Sequence, residues 1–286
     1  MPAANNGIPP DMWEECSSCH QLLYSKQLAE EQWVCPRCGH HLRLTVWQRL
    51  EITADPGSFS EWDADLPLVD PLEFPDYYPK LERAREKTHM SEAVLTGGAT
   101  LGQVPFGLGI MDLDFIGGSM GWVVGERITR LMERCSHERR PVIMFCASGG
   151  ARMQESLISL MQMPKTAAAA GRLRQAGVPY LSVITHPTYG GVTASFAFLG
   201  DIIIAEPQAA VGFAGPRVVE VTGLDMRADV QSAEFQHKHG MIDLVVNRHD
   251  LRPMLRSLLA WLGGLGPIRN GTGPNSRPAL VGELHE

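Results

Sequence analysis

The sequence predicts an α/β fold with a small cysteine-rich module in front of it, and three observations carry that prediction. Over residues 93–262, short apolar runs of strand length alternate with segments of helical periodicity. Twice an apolar run ends in paired glycines before a helical pattern begins. Val142-Ile143-Met144-Phe145-Cys146 opens into Ser148-Gly149-Gly150-Ala151-Arg152, and the run over 180–185 opens into Tyr189-Gly190-Gly191-Val192. Four of the six cysteines fall between positions 16 and 38. With 286 residues, 44% of them hydrophobic, the chain can bury one large core and still carry a small module.

The cysteines come first. Cys16-Ser17-Ser18-Cys19 and Cys35-Pro36-Arg37-Cys38 are two C-x-x-C knuckles, each able to turn two thiolates toward one point, and together they complete a tetrahedral zinc site. A closed shell of four sulfurs leaves no position for water, so a structural zinc ribbon is expected. Thioredoxin-like redox chemistry is the competing reading, and no strand-helix unit surrounds either knuckle. His20, His40 and His41 read as surface residues, and Trp13, Leu22, Leu23, Tyr24, Trp33 and Val34 as the ribbon's thin apolar layer. Residues 1–50 carry four basic side chains (Lys26, Arg37, Arg43, Arg49) against five acidic ones, the wrong balance for a nucleic-acid module. The ribbon is expected to pack on the larger domain. A nucleic-acid-binding ribbon protein is the alternative from a different functional class.

Residues 51–92 read as a wrapping segment without chemistry. A helix around 47–52 is broken by Asp55-Pro56-Gly57, an irregular stretch follows over 63–79, and 81–87 is a short charged helix. The main domain is expected over 93–262. It begins with a hairpin, 93–101 and 104–113, then the turn Gly117-Gly118-Ser119-Met120-Gly121 and a helix ending near Arg139-Arg140. Next come a strand over 141–146, a helix over about 153–173 kinked by Pro164, a strand over 179–185 and a helix over about 191–199. Strands at 201–205 and 209–213, a helix through His237, a strand over 241–246 and an amphipathic helix over 250–262 complete it. Met153, Leu157, Leu160, Met161 and Met163 form a soft stripe of core or subunit interface. Residues 263–286, rich in Gly, Pro and Asn, read as a flexible tail.

Composition excludes several classes. A net charge of −7 opposes bulk attraction to nucleic acid or an anionic membrane, and no apolar run is long enough to span a bilayer. The first residues lack a basic start and an apolar signal core, so a cytoplasmic protein is expected. No G-x-G-x-x-G follows the first strand and no Walker lysine motif occurs. What remains is the glycine corners. Backbone N–H groups there can hold developing negative charge, as oxyanion holes do; the plainer reading is two tight strand-to-helix turns. Ser148 has no placed base beside it and reads as a turn residue.

The knuckle pair, Gly117-Gly118-Ser119-Met120-Gly121, Ser148-Gly149-Gly150-Ala151-Arg152-Met153-Gln154-Glu155, Gly190-Gly191-Val192-Thr193-Ala194-Ser195-Phe196, Phe213-Ala214-Gly215-Pro216-Arg217-Val218 and His239-Gly240-Met241-Ile242-Asp243 together resemble the β-subunit family of bacterial acetyl-CoA carboxylase carboxyltransferase. The resemblance covers about residues 12–262. It implies a crotonase/ClpP-like spiral of ββα units behind the zinc ribbon. It implies an α₂β₂ assembly with a related α subunit, biotin arriving on a carrier protein, and a biotin carboxylase supplying it in an ATP-dependent holoenzyme. The implied reaction moves a carboxyl group from carboxybiotin to acetyl-CoA, giving malonyl-CoA for fatty-acid synthesis, with the biotin ureido nitrogen taking the methyl proton. Gly190 and Gly191 are then the expected acyl-CoA oxyanion site, with Gly149 and Gly150 as the neighbouring wall. Gly117 and Gly118 are cofactor-binding candidates or a packing turn. Arg152 and Arg217 either meet CoA phosphates or pair with Glu155 and Glu220. The chain departs from the family pattern at Trp122, His186, Tyr189 and residues 226–231, so a carboxyltransferase for another acyl-CoA, or a thioester decarboxylase, is the alternative within the enzyme class.

Overall fold

A computed structural model describes residues 12–67, 70, 72–215, 219–221 and 229–262. The expectations for Arg217, for residues 226–228 and for the 263–286 tail lie outside the described residues.

The ribbon is built from β1 (Trp13–Glu15), antiparallel β2 (Leu22–Tyr24) and the short α1 (Ser25–Glu30). It closes a core of its own from Cys16, Leu23, Leu28, Cys35 and Leu42, with Trp33 against it. Trp13 and Leu22 are exposed, because strands of three residues pair along one edge and leave these side chains uncovered. His41 also departs from expectation: it is buried, packed between the ribbon and the sheet.

In the next segment, α2 (Val46–Thr53) starts at a capping box in which Thr45 and Gln48 satisfy each other's backbone N–H groups. Asp55 then clamps the 102–103 turn of the later hairpin, accepting from Thr100 Oγ1, Gly102 N and Gln103 N. β3 (Ser60–Glu61) joins the edge of the main sheet, and α3 (Tyr77–Thr88) follows.

The hairpin β4 (Val94–Leu101) and β5 (Val104–Met111) forms as the sequence predicts. α4 (Trp122–Glu138) buries Val124, Ile128, Leu131, Met132 and Cys135 at helical spacing, and it crosses to β6 (Val142–Ser148), which is buried throughout. A single 3-10 turn, α5 (Ser156–Leu160) and α6 (Gln162–Gln175) replace the one kinked helix expected over 153–173. The break falls at Met161. Pro164 sits in the first turn of α6, where its missing N–H costs no helical bond.

β7 (Tyr180–Tyr189) outruns its predicted end by four residues, passing through a cis His186–Pro187 bond. Its extension is pinned by Thr185 and Thr188, whose hydroxyls both donate to the Cys146 carbonyl, at 2.9 and 2.8 Å. No α-helix follows over 191–199; a turn and one 3-10 turn, Phe196–Phe198, stand there. Ala194 N makes one helical bond to the Gly190 carbonyl, but Ser195 Oγ rather than its N–H takes that of Gly191, and Ser195 N turns to Val192 O instead.

β8 (Ile202–Ala205), the two-residue β9 (Val211–Gly212), α7 (Ala233–Lys238), the two-residue β10 (Leu244–Val245) and α8 (Arg248–Leu262) complete the described chain. The sheet runs β10-β8-β7-β6-β5-β4-β3, with β9 against β7. From β5 through β10 each neighbour is parallel, which explains the near-continuous apolar strands: both faces are covered. The glycine corners therefore lie together at the carboxyl ends of the central strands.

Candidate active site and metal centre

The two strand-ending corners and the 116–118 turn converge. Gly149 N donates to Gly117 O at 2.8 Å, Met120 N to Gly150 O at 2.8 Å, and Arg152 N to Met120 O at 3.0 Å. Ser148 Oγ donates to Gly118 O and accepts from Gly150 N, the turn role its lack of a base predicted. Gly150 and Gly190 stand back to back: a Cβ on Gly190 would lie 3.0 Å from Gly150 Cα, and both residues have positive φ. Only glycine permits this approach with that backbone. The corner glycines are thus needed first for backbone packing.

This packing engages amides on the expected wall, Gly149 and Gly150, and one of the expected oxyanion pair, Gly190. The N–H of Gly149 is bonded to Gly117 O, that of Gly150 to Ser148 Oγ, and that of Gly190 to Phe213 O at 3.0 Å. Of the four glycines, Gly191 alone keeps an N–H without a partner among the described residues. The Ala151 N–H is likewise unpartnered among them, and a Cβ on Gly191 would stand 3.6 Å from Ala151 Cβ. Two residues with open N–H groups, one from each corner, are thus neighbours in space. The motif search saw the glycines and missed Ala151, because nothing in the sequence says which corner amides are already bonded.

Gly118 packs against the Ala147 carbonyl, where a Cβ would collide with the oxygen, while Gly117, with φ of +67°, leaves open space beside it. Arg152 cannot meet a CoA phosphate, since it is fully buried with its donors taken. Its Nη1 and Nη2 grip Glu92 at 2.8 and 2.6 Å, Nε reaches Ser119 Oγ, and Tyr77 OH and Glu155 complete the shell. Burial works against the guanidinium charge, but Glu92 outweighs it and raises the Arg152 pKa. Burial pushes up the Tyr77 hydroxyl, which donates to Glu155. The other Glu155 oxygen accepts from Trp122 N at the start of α4. Tyr77 and Glu92 both come from the segment expected to carry no chemistry; they hold the corner's floor.

Met153 and Leu157 are 80% and 66% exposed, and Leu160 and Met161 are exposed as well. Four of the stripe's five residues are therefore not core, whereas Met163 is half-buried against it. Tyr189 is buried, with its ring near Gly215, and burial raises its pKa.

In the ribbon, Cys16 and Cys38 sulfurs lie 3.7 Å apart and those of Cys19 and Cys35 3.8 Å, with all four within 4.8 Å of one another. A tetrahedron with Zn–S bonds of about 2.3 Å has edges of about 3.8 Å. The four sulfurs fit zinc. His20 and His40 are held elsewhere, by Glu15 and Ser17.

The carboxyl transferase domain family matches residues 40–278. The acetyl-coenzyme A carboxylase carboxyl transferase subunit beta of Desulforamulus reducens is 51% identical over 257 residues, covering 90% of this chain and 89% of that protein. The chain belongs to the carboxyltransferase β-subunit family. The subunit beta of a Synechococcus strain is 52% identical over 258 residues, covering 88% of this chain and 82% of that protein. Two solved structures resemble this β-subunit family member. A Pseudomonas malonate decarboxylase hetero-dimer has a TM-score of 0.60 at 23% identity over 76% of this chain and 86% of that one, a likeness of fold. A transcarboxylase 12S with methylmalonyl-coenzyme A bound has a TM-score of 0.63 at 26% identity, over 82% of this chain and 46% of that one. The fold is the expected α/β carboxyltransferase architecture behind a four-cysteine module.

Proposed function

We propose that this β subunit completes its active site with an α subunit and moves a carboxyl group from carboxybiotin, borne on a carrier protein, to acetyl-CoA. The observation that carries the reading is the pair of open N–H groups at Ala151 and Gly191. Deprotonating a thioester methyl places negative charge on the acyl oxygen. Two fixed amides about 3 Å from that oxygen stabilise the charge without reorganising, and no titrating side chain is required. Carboxybiotin supplies the carboxyl group; this chain's part is to hold the enolate oxygen and keep its corner rigid through Arg152, Glu92 and Glu155. The exposed Met153–Leu157 face lies beside the corner and is the surface for the α subunit to cover, shutting water out. A structural zinc in the Cys16, Cys19, Cys35 and Cys38 site would hold the ribbon's shape.

The test is reconstitution. The zinc-loaded chain, mixed with its α partner, is expected to decarboxylate malonyl-CoA when free biotin is added, and to prefer it over methylmalonyl-CoA. No biotin-dependent turnover in an assembled complex would overturn the reading. Decarboxylation without biotin would favour the thioester decarboxylase instead.

A further inference from the structure

A cavity of about 380 Å³ separates the ribbon from the sheet, within the range of about 300–1,000 Å³ common to ligand sites. The ribbon contributes His40, His41 and Arg43, α2 contributes Arg49, and the main domain contributes His186 and a buried node of Glu206 with Arg248. Ala147 and Thr185 form part of its wall, so it opens at the carboxyl ends of β6 and β7, where ligands of open α/β sheets collect.

Its charge runs against that of the whole chain. Three guanidiniums line it against one carboxylate, in a protein of net charge −7. That carboxylate is used up: Glu206 Oε1 accepts from Arg49 at 2.7 Å and Arg248 Nε at 2.8 Å, and Oε2 from Arg248 Nη2 at 2.7 Å. Arg49, 5% exposed, keeps its Nη1 without a partner, and His41, 7% exposed, keeps both ring nitrogens unpaired. His41 Nδ1 stands 3.5 Å from Glu206 Oε2, too far for a good hydrogen bond. Buried donors in want of acceptors are costly, and they mark a place for an anion.

The mouth adds two donors. His186 Nδ1 accepts from Ala210 N at 3.1 Å, which leaves Nε2–H free to donate in the neutral ring. Arg43 is exposed and has no ion-pair partner among the described residues. Burial first, then the Arg43 charge beside it, hold the His186 pKa below its ordinary value, with Glu206 opposing. The cleft's field is positive.

We propose that this cleft binds a phosphate group, either one carried by an acyl-CoA or free inorganic phosphate, with Arg43 and His186 at the mouth and Arg49 and His41 at the floor. The acyl-CoA source rests on the function proposed above; the free-phosphate source does not.

The experiment uses the zinc-loaded chain assembled with its α partner, wild type against Arg43→Glu, with Arg43→Lys as the conservative variant. Calorimetry with inorganic phosphate measures the site directly, and steady-state kinetics compare acetyl-CoA with acetyl-pantetheine, which has the thioester and no phosphate. If acyl-CoA is the source, Arg43→Glu raises the ratio of KM for acetyl-CoA to KM for acetyl-pantetheine about tenfold, and Arg43→Lys restores most of it. If free phosphate is the source, the KM ratio stays level while phosphate affinity falls about tenfold in Arg43→Glu. Zinc content and the unfolding midpoint report that each variant is folded. A folded Arg43→Glu complex with neither change overturns the site. A wild-type complex that binds phosphate through Arg43 but transfers no carboxyl group overturns the proposed function and leaves the site standing.

Discussion

Two buried arginine–glutamate nodes hold this molecule together, and they are balanced in opposite ways. Under the glycine corners, one guanidinium, Arg152, faces two carboxyl groups and a phenol, and its donors are taken. Between ribbon and sheet, two guanidiniums, Arg49 and Arg248, share the single carboxylate of Glu206, and donors are left over. The first node is closed and can only fix geometry. The second both fixes geometry and leaves unmet demand for negative charge. Arg248 shows its structural side, donating to the carbonyls of Gln32, Trp33 and Leu42 and so tying α8 to the ribbon.

The largest expected effect is at the open node. Glu206→Gln strands two buried cations at once, so its cost is placed near the top of the range for a broken buried pair, about 5 kcal/mol. Urea unfolding measures the loss, and hydrogen exchange should show the ribbon's amides losing protection first. Protection lost first in α4 would show that Glu206 does not hold the ribbon. Next, Arg152→Met leaves Glu92 without its cation and should cost about 3 kcal/mol. Carboxyl transfer should fall with it while ribbon protection stays as in the wild type; an unchanged rate would separate the closed node from the corner.

A smaller effect comes from pH. Burial tends to raise the Glu206 pKa, but Arg49 and Arg248 outweigh it and hold the group well below its ordinary 4.5. A carboxyl with a lowered folded-state pKa contributes stability that is fully present above about 4.5 and is lost as pH falls through the lowered value. The stability difference between wild type and Glu206→Gln should therefore be flat above that pH and shrink below it. A difference that instead grew on acidification would give the wrong sign. Smallest in stability is Gly191→Pro, whose N–H bonds nothing within the described chain. A Cβ there would stand 3.0 Å from Met163 Sδ, at the end of a flexible side chain that can give way, so the unfolding midpoint should fall only modestly, while kcat falls by about 10²–10³, the usual loss for one oxyanion donor.

Much of the fold was legible because apolar period and glycine position speak directly. The β4–β5 hairpin, α4 and the zinc knuckles follow from spacing alone. The helix expected over 191–199 stops at once where the Ser195 hydroxyl takes the Gly191 carbonyl and its N–H turns to Val192, a competition that periodicity does not weigh. The site was legible as a place, while which of its amides are already bonded was not. Gly149 and Gly190 have amides bonded to partners far off in sequence, Gly150 has its amide on the Ser148 hydroxyl two residues back, and an unbonded amide at Ala151 leaves no mark on residue type. Glu92, Tyr77 and Glu206 were invisible for a related reason: a buried charge is recognised by its partner, and Glu92 meets Arg152 across 60 positions of chain.

The most direct test of the account is a crystal structure of the assembled α and β subunits with a CoA analogue whose acyl oxygen carries enolate-like negative charge. The oxygen should lie about 2.7–3.1 Å from both the Gly191 and Ala151 nitrogens. An oxygen bound elsewhere, with those two N–H groups capped by the α subunit's own carbonyls, would contradict it.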